Sequence, residues 1–366
     1  MTIIRPASQG SASDDTVGRR NASTGEPSMA DVARRAGVAL GTVSNVINRP
    51  YKVTEKTRLK VQSAIDELGF VRNGAAGSLA KGTSNTIGFV TIDLGNSFFL
   101  DMARGAEDEA QTVSKTLLLA NSDLNLAKQD AYLSLFDEER MAGILIAPLP
   151  NSLGHAEKVR AHGRPVVVLN DALDSTDSCG VLVNNEHGGY LATKHLIELG
   201  RTRLAFVGGP ESLKPIHDRY AGAQRAVDET GGRVKLEHIP TREVQTDDGR
   251  KVGRAIIERG PKRMPDGIVA AADLLAVGIV QAFLAESTIS IPGDVAIIGY
   301  DNNRMAWDSS IPISTLSQPG REMGKVAAQL LLEEIQTPET HVHRRIILEP
   351  TLIARRSTVG DASATS

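Results

Sequence analysis

Residues 29–48 read MADVARRAGVALGTVSNVIN, and the spacing of their apolar residues sets the fold of the first part of the chain. Ser28 stands just before this stretch with Asp31 three residues on, the form of a capping box, in which side chain and backbone satisfy each other's free N–H groups. Val32, Ala33 and Ala36 then recur at helical spacing, and Gly37 stops the helix. A second helix follows almost at once, with Val43, Val46 and Ile47 as its apolar face. Asn48-Arg49-Pro50 ends it, because the residue before a proline resists helical geometry. A third helix is expected from Thr54, with Glu55 in its first turn, Leu59, Val61, Ala64, Ile65 and Leu68 buried, and Gly69 as its stop. Helix, tight glycine turn, helix is the spacing of a helix-turn-helix, whose second helix enters the DNA major groove. Here that helix presents Leu40, Gly41, Thr42, Ser44 and Asn45 outward. Asparagine can pair bidentately with adenine, a threonine methyl can meet the thymine methyl, and an outward Leu40 with no core duty suits base contact. A helical hairpin at the end of an enzyme would show the same spacing.

Charge separates these possibilities only in part. Residues 28–82 carry nine Lys and Arg against four Asp and Glu, a net of +5, in a chain whose formal charge is −3. A basic segment on an acidic body points to a polyanion partner for that segment alone. Residues 1–27, rich in Ser, Ala, Thr and Gly without apolar period, read as a disordered tail. The single cysteine, Cys179, excludes an internal disulfide framework. No apolar run approaches the roughly 18 residues of a membrane span, and the first residues lack the apolar core of a secretory signal. A cytoplasmic protein is expected.

From residue 83 the texture changes to short β-branched runs alternating with helical stretches. The runs are Ile87–Leu94, Leu117–Ala120, Gly143–Ala147, Val166–Leu169, Leu204–Val207, Gly267–Ala270 and Val295–Gly299; the helical stretches include 99–112, 188–199, 218–229, 249–259 and 274–286. Such alternation implies parallel βαβ units. The runs are too many for one mononucleotide-sized sheet, so two similar lobes are expected, with a ligand in the cleft at the carboxyl ends of their strands. The fold class is therefore α/β: a small all-α helix-turn-helix head followed by two Rossmann-like parallel-sheet lobes.

Three segments taken in order, Asp31-Val32-Ala33-Arg34-Arg35-Ala36-Gly37-Val38, Thr42-Val43-Ser44-Asn45-Val46-Ile47-Asn48 and Val53-Thr54-Glu55-Lys56-Thr57-Arg58, strongly resemble the head of the lac/gal repressor family. The resemblance continues through Leu68-Gly69-Phe70-Val71-Arg72-Asn73 and Ser78-Leu79, and more thinly to about residue 355. It implies base-reading roles for Leu40, Gly41 and Asn45, with Thr42 and Ser44 beside them at the DNA surface. Asn48, Lys52 and Lys56 complete the expected contacts of the head, Lys56 as a phosphate contact. Asn73–Ala80 matches the family's hinge helix, which folds in the minor groove when two subunits meet on DNA; Asn73, Ala76 and Leu79 would touch DNA there, Leu79 as the wedge that unstacks the central base step. Eight residues are too few for a stable isolated helix. The chain departs from the family in three places. Ala39 replaces the usual capping serine, at a cost of about 1 kcal/mol, Gly77 falls inside the hinge, and Gly41 brings no side chain to the readout.

For residues 83–357 the resemblance implies a periplasmic-binding-protein-like body of two lobes, crossed three times by the chain, that binds an effector and forms a dimer. Arg219 matches the family's effector clamp and Asp301 its acidic ligand. Phe98 and Phe99 match the aromatic pair that packs on the ligand, and Asp273 lies in a loop lining the far side of the cleft. Trp307, the only tryptophan, either stacks on a sugar or simply packs. Pro150 stands where some sugar-responsive members carry an acidic ligand, so that hydroxyl contact is not expected. The expected organisation is a tail (1–27), a head (28–72), a hinge and linker (73–82), the two-lobed body (83–357) and a flexible C-terminal tail (358–366). The expected function is a repressor that binds a pseudo-palindromic operator as a homodimer under the control of a sugar or sugar derivative, with a purine-like nucleobase as the alternative effector. The final ten residues contain no leucine heptad of the kind that makes some members tetramers.

An enzyme finds little support. No GxGxxG or Walker A motif follows a strand, and Cys179 has no nucleophile context. His341-Val342-His343 alternates like a strand and lacks a third ligand partner, so no metal or cofactor is expected. A secreted binding protein would share the two-lobed body but would carry neither a basic head nor this N-terminus.

Overall fold

The computed structural model describes residues 27–71, 84–149, 152–171 and 177–363. The expected N-terminal tail up to residue 26, the hinge residues Asn73, Ala76, Gly77 and Leu79, and Pro150 lie outside them. The chain separates into two compact units, the head and the larger body.

The head holds α1 (Met29–Ala36), α2 (Leu40–Asn48) and α3 (Glu55–Leu68), with a 3-10 turn at Pro50–Lys52. Ser28 and Asp31 form the reciprocal capping box at the start of α1. Gly37, at φ 60°, and Gly69, at φ 62°, end α1 and α3 in the left-handed conformation that a side chain would disfavour. Ala39 stands at the N-cap of α2 and supplies no side-chain acceptor. Val32, Ala33, Ala36, Val43, Val46, Val61 and Ala64 make the small core, with Ile47, Ile65 and Leu68 packed at its margin. Leu59, expected to be buried, is 57% exposed. It sits two residues before Val61, about 200° round the helix, so the two cannot share one face.

The body is two six-stranded sheets. The first has the order β11-β5-β4-β3-β1-β2, and the second β12-β10-β9-β8-β6-β7. The first is formed by β1 (Thr86–Thr91), β2 (Thr116–Asn121), β3 (Gly143–Ile146), β4 (Val166–Leu169), β5 (Gly180–Val183) and β11 (Arg345–Leu348). The second is formed by β6 (Arg203–Val207), β7 (Lys235–Ile239), β8 (Gly267–Ala270), β9 (Ala296–Asp301), β10 (Ser314–Ser317) and β12 (Thr351–Ile353). All neighbours run parallel except β10 and β12. The chain passes from β5 to the second lobe, returns after β10, and crosses again between β11 and β12, which gives the three crossings.

All seven apolar runs form strands. Central β3, β4 and β8 are buried along their whole length, as strands covered on both faces should be. The outer strands β2, β7, β11 and β12 are part-exposed, and of these only β2 carries a continuous apolar run. The helices that cover the first sheet are α4 (Ser97–Thr112), α5 (Leu126–Glu138), α6 (Leu153–Ala161) and α12 (Gly320–Gln336). The second sheet is covered by α7 (Asn185–Glu198), α8 (Lys214–Asp228), α9 (Thr246–Arg259) and α10 (Asp273–Glu286), with short α11 (Arg304–Trp307) beside them.

The C-terminal segment differs from expectation. Residues Arg356–Val359 form α13, and a 3-10 turn follows at Gly360–Ser363. The Ser357 hydroxyl donates to the Ile297 carbonyl at 2.6 Å, and Thr358 Oγ1 lies 2.6 Å from Ser314 Oγ and 2.8 Å from His195 Nε2. Ser357 and Thr358 are buried. These hydrogen bonds hold the chain against β9 and β10 beyond residue 357, where a free tail was expected.

Candidate functional site

Two surfaces carry the chemistry, one in each unit. In the head, α2 turns Val43 and Val46 into the core, which leaves the intervening positions outside. Leu40 is 51% exposed although strongly apolar. Gly41 is exposed, and a Cβ added there would meet nothing within 4 Å, while Thr42, Ser44 and Asn45 are half-buried at the same face. Asn48 is exposed, and its side-chain amide donates to the Ser44 carbonyl at 3.0 Å. That bond holds the last turn of a helix that carries no charged residue.

Charge flanks α2 instead. Arg34 pairs with Asp31, Arg35 with Glu67 and Arg58 with Glu55. Among the described residues, Arg49, Lys52, Lys56 and Lys60 have no acidic partner and are all exposed. An uncharged face of hydrogen-bonding and methyl groups beside unpaired cations is the division that DNA needs, with bases read by the face and phosphates held by the charges. Tyr51, 81% exposed between Arg49 and Lys52, belongs to this rim. Its large exposed ring was the signal that reading the helices alone missed.

In the body, the carboxyl ends of the strands face a cleft of about 240 Å3. Arg219, on α8, reaches into it from the second lobe. Its Nε donates to Asn185 Oδ1 at 2.9 Å, and Nη1 donates to the Ala271 carbonyl at 2.6 Å. The guanidinium lies 3.6 Å from the centre of the Tyr300 ring and 3.7 Å from Asp301 Oδ1. Both charged groups are buried, so each depends on the other. Burial pushes the Asp301 carboxyl above its usual range, and the Arg219 charge pulls it back.

Asp301 closes β9 at φ 109°, with Asn302 at 61°, a region that side chains rarely occupy and that costs about 1–3 kcal/mol per residue. Asn170, on the opposite wall, also has positive φ, at 58°. Strain of this kind collects where a backbone must aim side chains at a ligand. Asp301 accepts from Asn96 Nδ2 at 2.8 Å and from Gln318 Nε2 at 2.6 Å. Since Asn96 belongs to the first lobe, this bond bridges the cleft, as do Asn303 Nδ2 to Asn96 Oδ1 at 3.2 Å and Gln245 Nε2 to Asp93 Oδ2 at 2.9 Å.

Phe98 and Phe99, at the start of α4, line the first-lobe wall with ring centres 5.4 Å apart. Leu124, Leu169, Leu213, Ile216, Val244 and Leu274 supply further apolar surface. Of the six expected effector residues, Phe98, Phe99, Arg219 and Asp301 meet here.

Asp273 and Trp307 do not line the cleft. Asp273 is fully buried beneath it, where its Oδ2 accepts from the Asn303 backbone N–H at 2.6 Å. A side chain on Gly299 would collide with Asp273 Oδ1, so glycine there makes room for the carboxylate. The neighbouring Ala272 lines the cleft in its place. Trp307 is 45% exposed, its indole N–H donates to Asn302 Oδ1, and its ring lies against the Arg355 guanidinium. That bond draws the ring away from the cleft. The cleft amides Gln245 and Gln318 were not legible, because a lone glutamine in a loop carries no periodic or motif signal.

The absence of a third partner for His341 and His343 is also corrected: Cys179 stands beside both histidines.

No helix among the described residues is long and apolar enough to cross a membrane. Residues 28–73 match the model of bacterial regulatory proteins of the lacI family, and residues 193–358 match that of the periplasmic binding protein-like domain. The HTH-type transcriptional repressor PurR of Vibrio atlanticus (strain LGP32) is 34% identical over 330 residues, covering 90% of this chain and 97% of the relative. A solved complex of the transcriptional regulator CelR with cellobiose superposes with TM-score 0.66 at 28% identity, covering 90% of this chain and 99% of that one. A LacI family regulator from Enterococcus faecium with bound ribose gives TM-score 0.66 at 29% identity over 75% of this chain and 98% of that one. The head, the two-lobed body and these likenesses agree: the chain belongs to the lacI family of bacterial regulatory proteins, transcription regulators rather than enzymes.

Proposed function

We propose that the protein is a repressor that binds a two-fold symmetric operator as a homodimer and is controlled by a sugar or sugar derivative held between the lobes. The observation that carries the effector half is the Arg219–Asp301 pair buried at the strand ends, surrounded by Asn96, Gln245 and Gln318 and walled by Phe98 and Phe99. A carboxylate accepts from vicinal hydroxyls, a guanidinium donates in a fixed fork, and aromatic rings cover the apolar face of a sugar ring. The sugars bound in the two similar regulators support the same class.

Control follows from where the bonds lie. The Asn96–Asp301, Asn303–Asn96 and Asp93–Gln245 bonds join the lobes directly. A ligand that replaces them binds the open and closed arrangements differently, which is what shifting an equilibrium requires. In the head, Leu40, Thr42, Ser44 and Asn45 read bases while Arg49, Lys52, Lys56 and Lys60 hold phosphates. Asn73, Ala76 and Leu79 would complete the contact from the hinge.

A second reading, a purine-like nucleobase, is favoured by the apolar second-lobe wall of Leu213, Val244, Ala272 and Leu274, which suits a flat ring better than hydroxyls. A thermal-shift screen of monosaccharides, disaccharides and nucleobases on the full-length protein separates the two. A ligand at a hundred times its Kd adds about 2.7 kcal/mol of stability. The expected result is a sugar that raises Tm in the wild type and not in Asp301→Asn. Purines that shift Tm while sugars do not would replace the effector, and a shift untouched in Asp301→Asn would remove the cleft assignment.

A further inference from the structure

Away from the cleft, the loop between α12 and β11 folds back onto the start of β5. It places His341 Nε2 3.1 Å and His343 Nδ1 3.8 Å from Cys179 Sγ, and these three ligand atoms all lie within 4.8 Å of one another. Bonds of about 2.3 Å to sulfur and 2.0–2.1 Å to nitrogen in a tetrahedral site put ligand atoms roughly 3.4–3.6 Å apart, so the observed distances bracket a zinc-sized centre.

We propose that Cys179, His341, His343 and Glu334 form a binding site for zinc or a zinc-like divalent ion. Glu334, on α12, stands beside this trio rather than within it and would supply the fourth ligand by a shift of its side chain. Its Oε2 lies 4.0 Å from His343 Nδ1, is buried, and makes no hydrogen bond. A buried carboxylate oxygen without a partner is costly unless something else satisfies it. A thiolate, two neutral imidazoles and a carboxylate balance the charge of a divalent cation and suit zinc in ligand type.

The surroundings are those of a built site. The His341 side chain is only 1% exposed, and its other ring nitrogen, buried without a hydrogen-bond partner, lies 3.4 Å from Glu333 Oε1. The Arg344 backbone N–H donates to Cys179 Sγ at 3.5 Å, a contact that stabilises a metal-bound thiolate. Arg160, the nearby cation, is engaged by Ser178 Oγ at 2.7 Å. His343 remains 27% exposed and Val342 72% exposed, which leaves an entry path through the loop. The site sits at the amino ends of the strands, opposite the cleft, since Gly180 and Arg345 begin the paired β5 and β11. Metal there would clamp α12 and its following loop onto the first sheet.

The competing arrangement is a plain thiol-to-imidazole hydrogen bond with no metal affinity. Full-length protein stripped of metal and titrated with Co2+, then with Zn2+ in competition, distinguishes them. The expected result is one equivalent of Co2+ with tetrahedral visible bands and a thiolate-to-cobalt charge-transfer band, displaced by Zn2+. Cys179→Ser, close in volume, should lose the charge-transfer band. His343→Ala, on a part-exposed loop, and Glu334→Gln should each weaken Zn2+ by about tenfold or more. Absence of Co2+ uptake by the wild type, uptake without the sulfur band, or wild-type affinity in both Cys179→Ser and His343→Ala would overturn the site.

Discussion

Two carboxylates, Asp273 and Asp301, lie buried at the carboxyl edge of the second sheet, and only Asp301 opens onto the ligand cleft. Burial raises the Asp273 carboxyl well above its ordinary range, and the charge of Asp301 raises it further. The folded protein therefore keeps a proton on Asp273 at a pH where the unfolded chain, near pKa 4, has lost it. Stability from this group is present below about pH 4 and declines as pH rises toward the raised folded value. Asp273→Asn removes that decline while keeping the shape and an acceptor for Asn303. Relative to wild type its Tm should improve as pH rises from about 4.5 to 7.5. A Tm difference independent of pH in paired melts would contradict the assignment. The sequence placed Asp273 in the cleft because a carboxylate just after a strand can either face a ligand or brace the next loop. Which one it does depends on Gly299 in the neighbouring strand, a contact no local pattern encodes.

At the scale of elements, the ends of the head helices were legible because caps are local. Ser28 with Asp31, Gly37 and Gly69 work within a few residues of themselves. Ala39 was legible as a missing cap for the same reason, and its φ of −68° and ψ of 151° are those a capping serine adopts. Ala39→Ser should therefore add about 1 kcal/mol to the stability of the head, seen as a higher melting transition of that unit. An unchanged transition would mean that the backbone N–H groups of α2 are already satisfied. The strands that escaped reading are those whose pattern is weak. Lys235–Ile239, Arg345–Leu348 and Thr351–Ile353 lie at or near sheet edges and are part-exposed; the first two mix charges with their apolar residues, and the third is only three residues long. Gly180–Val183 is apolar, and one of the strands it pairs with lies more than 160 residues away. Leu59 shows the opposite error, an apolar residue counted into a core that its position round the helix denies it.

At the scale of the molecule, alternating strands and helices told of two lobes, but the triple crossing came from resemblance rather than periodicity. Local sequence does not say that β11 returns to the first sheet and β12 to the second. Nor does it bring Cys179 to His341 and His343, which only that return makes neighbours. The same topology carries the functional proposal, since a ligand that spans both lobes acts on bonds drawn from residues as far apart as Asp93 and Gln245. One head offers few base contacts, so specific affinity at physiological salt calls for two heads on a symmetric site. Selection of duplex DNA from a random pool by the full-length protein tests this most directly. The expected result is a two-fold symmetric motif, with Asn45→Ala relaxing one matching position in each half-site at a cost of about 1–3 kcal/mol. A selected pool no richer in any motif than the starting one, or a motif that Asn45→Ala leaves unchanged, would contradict it.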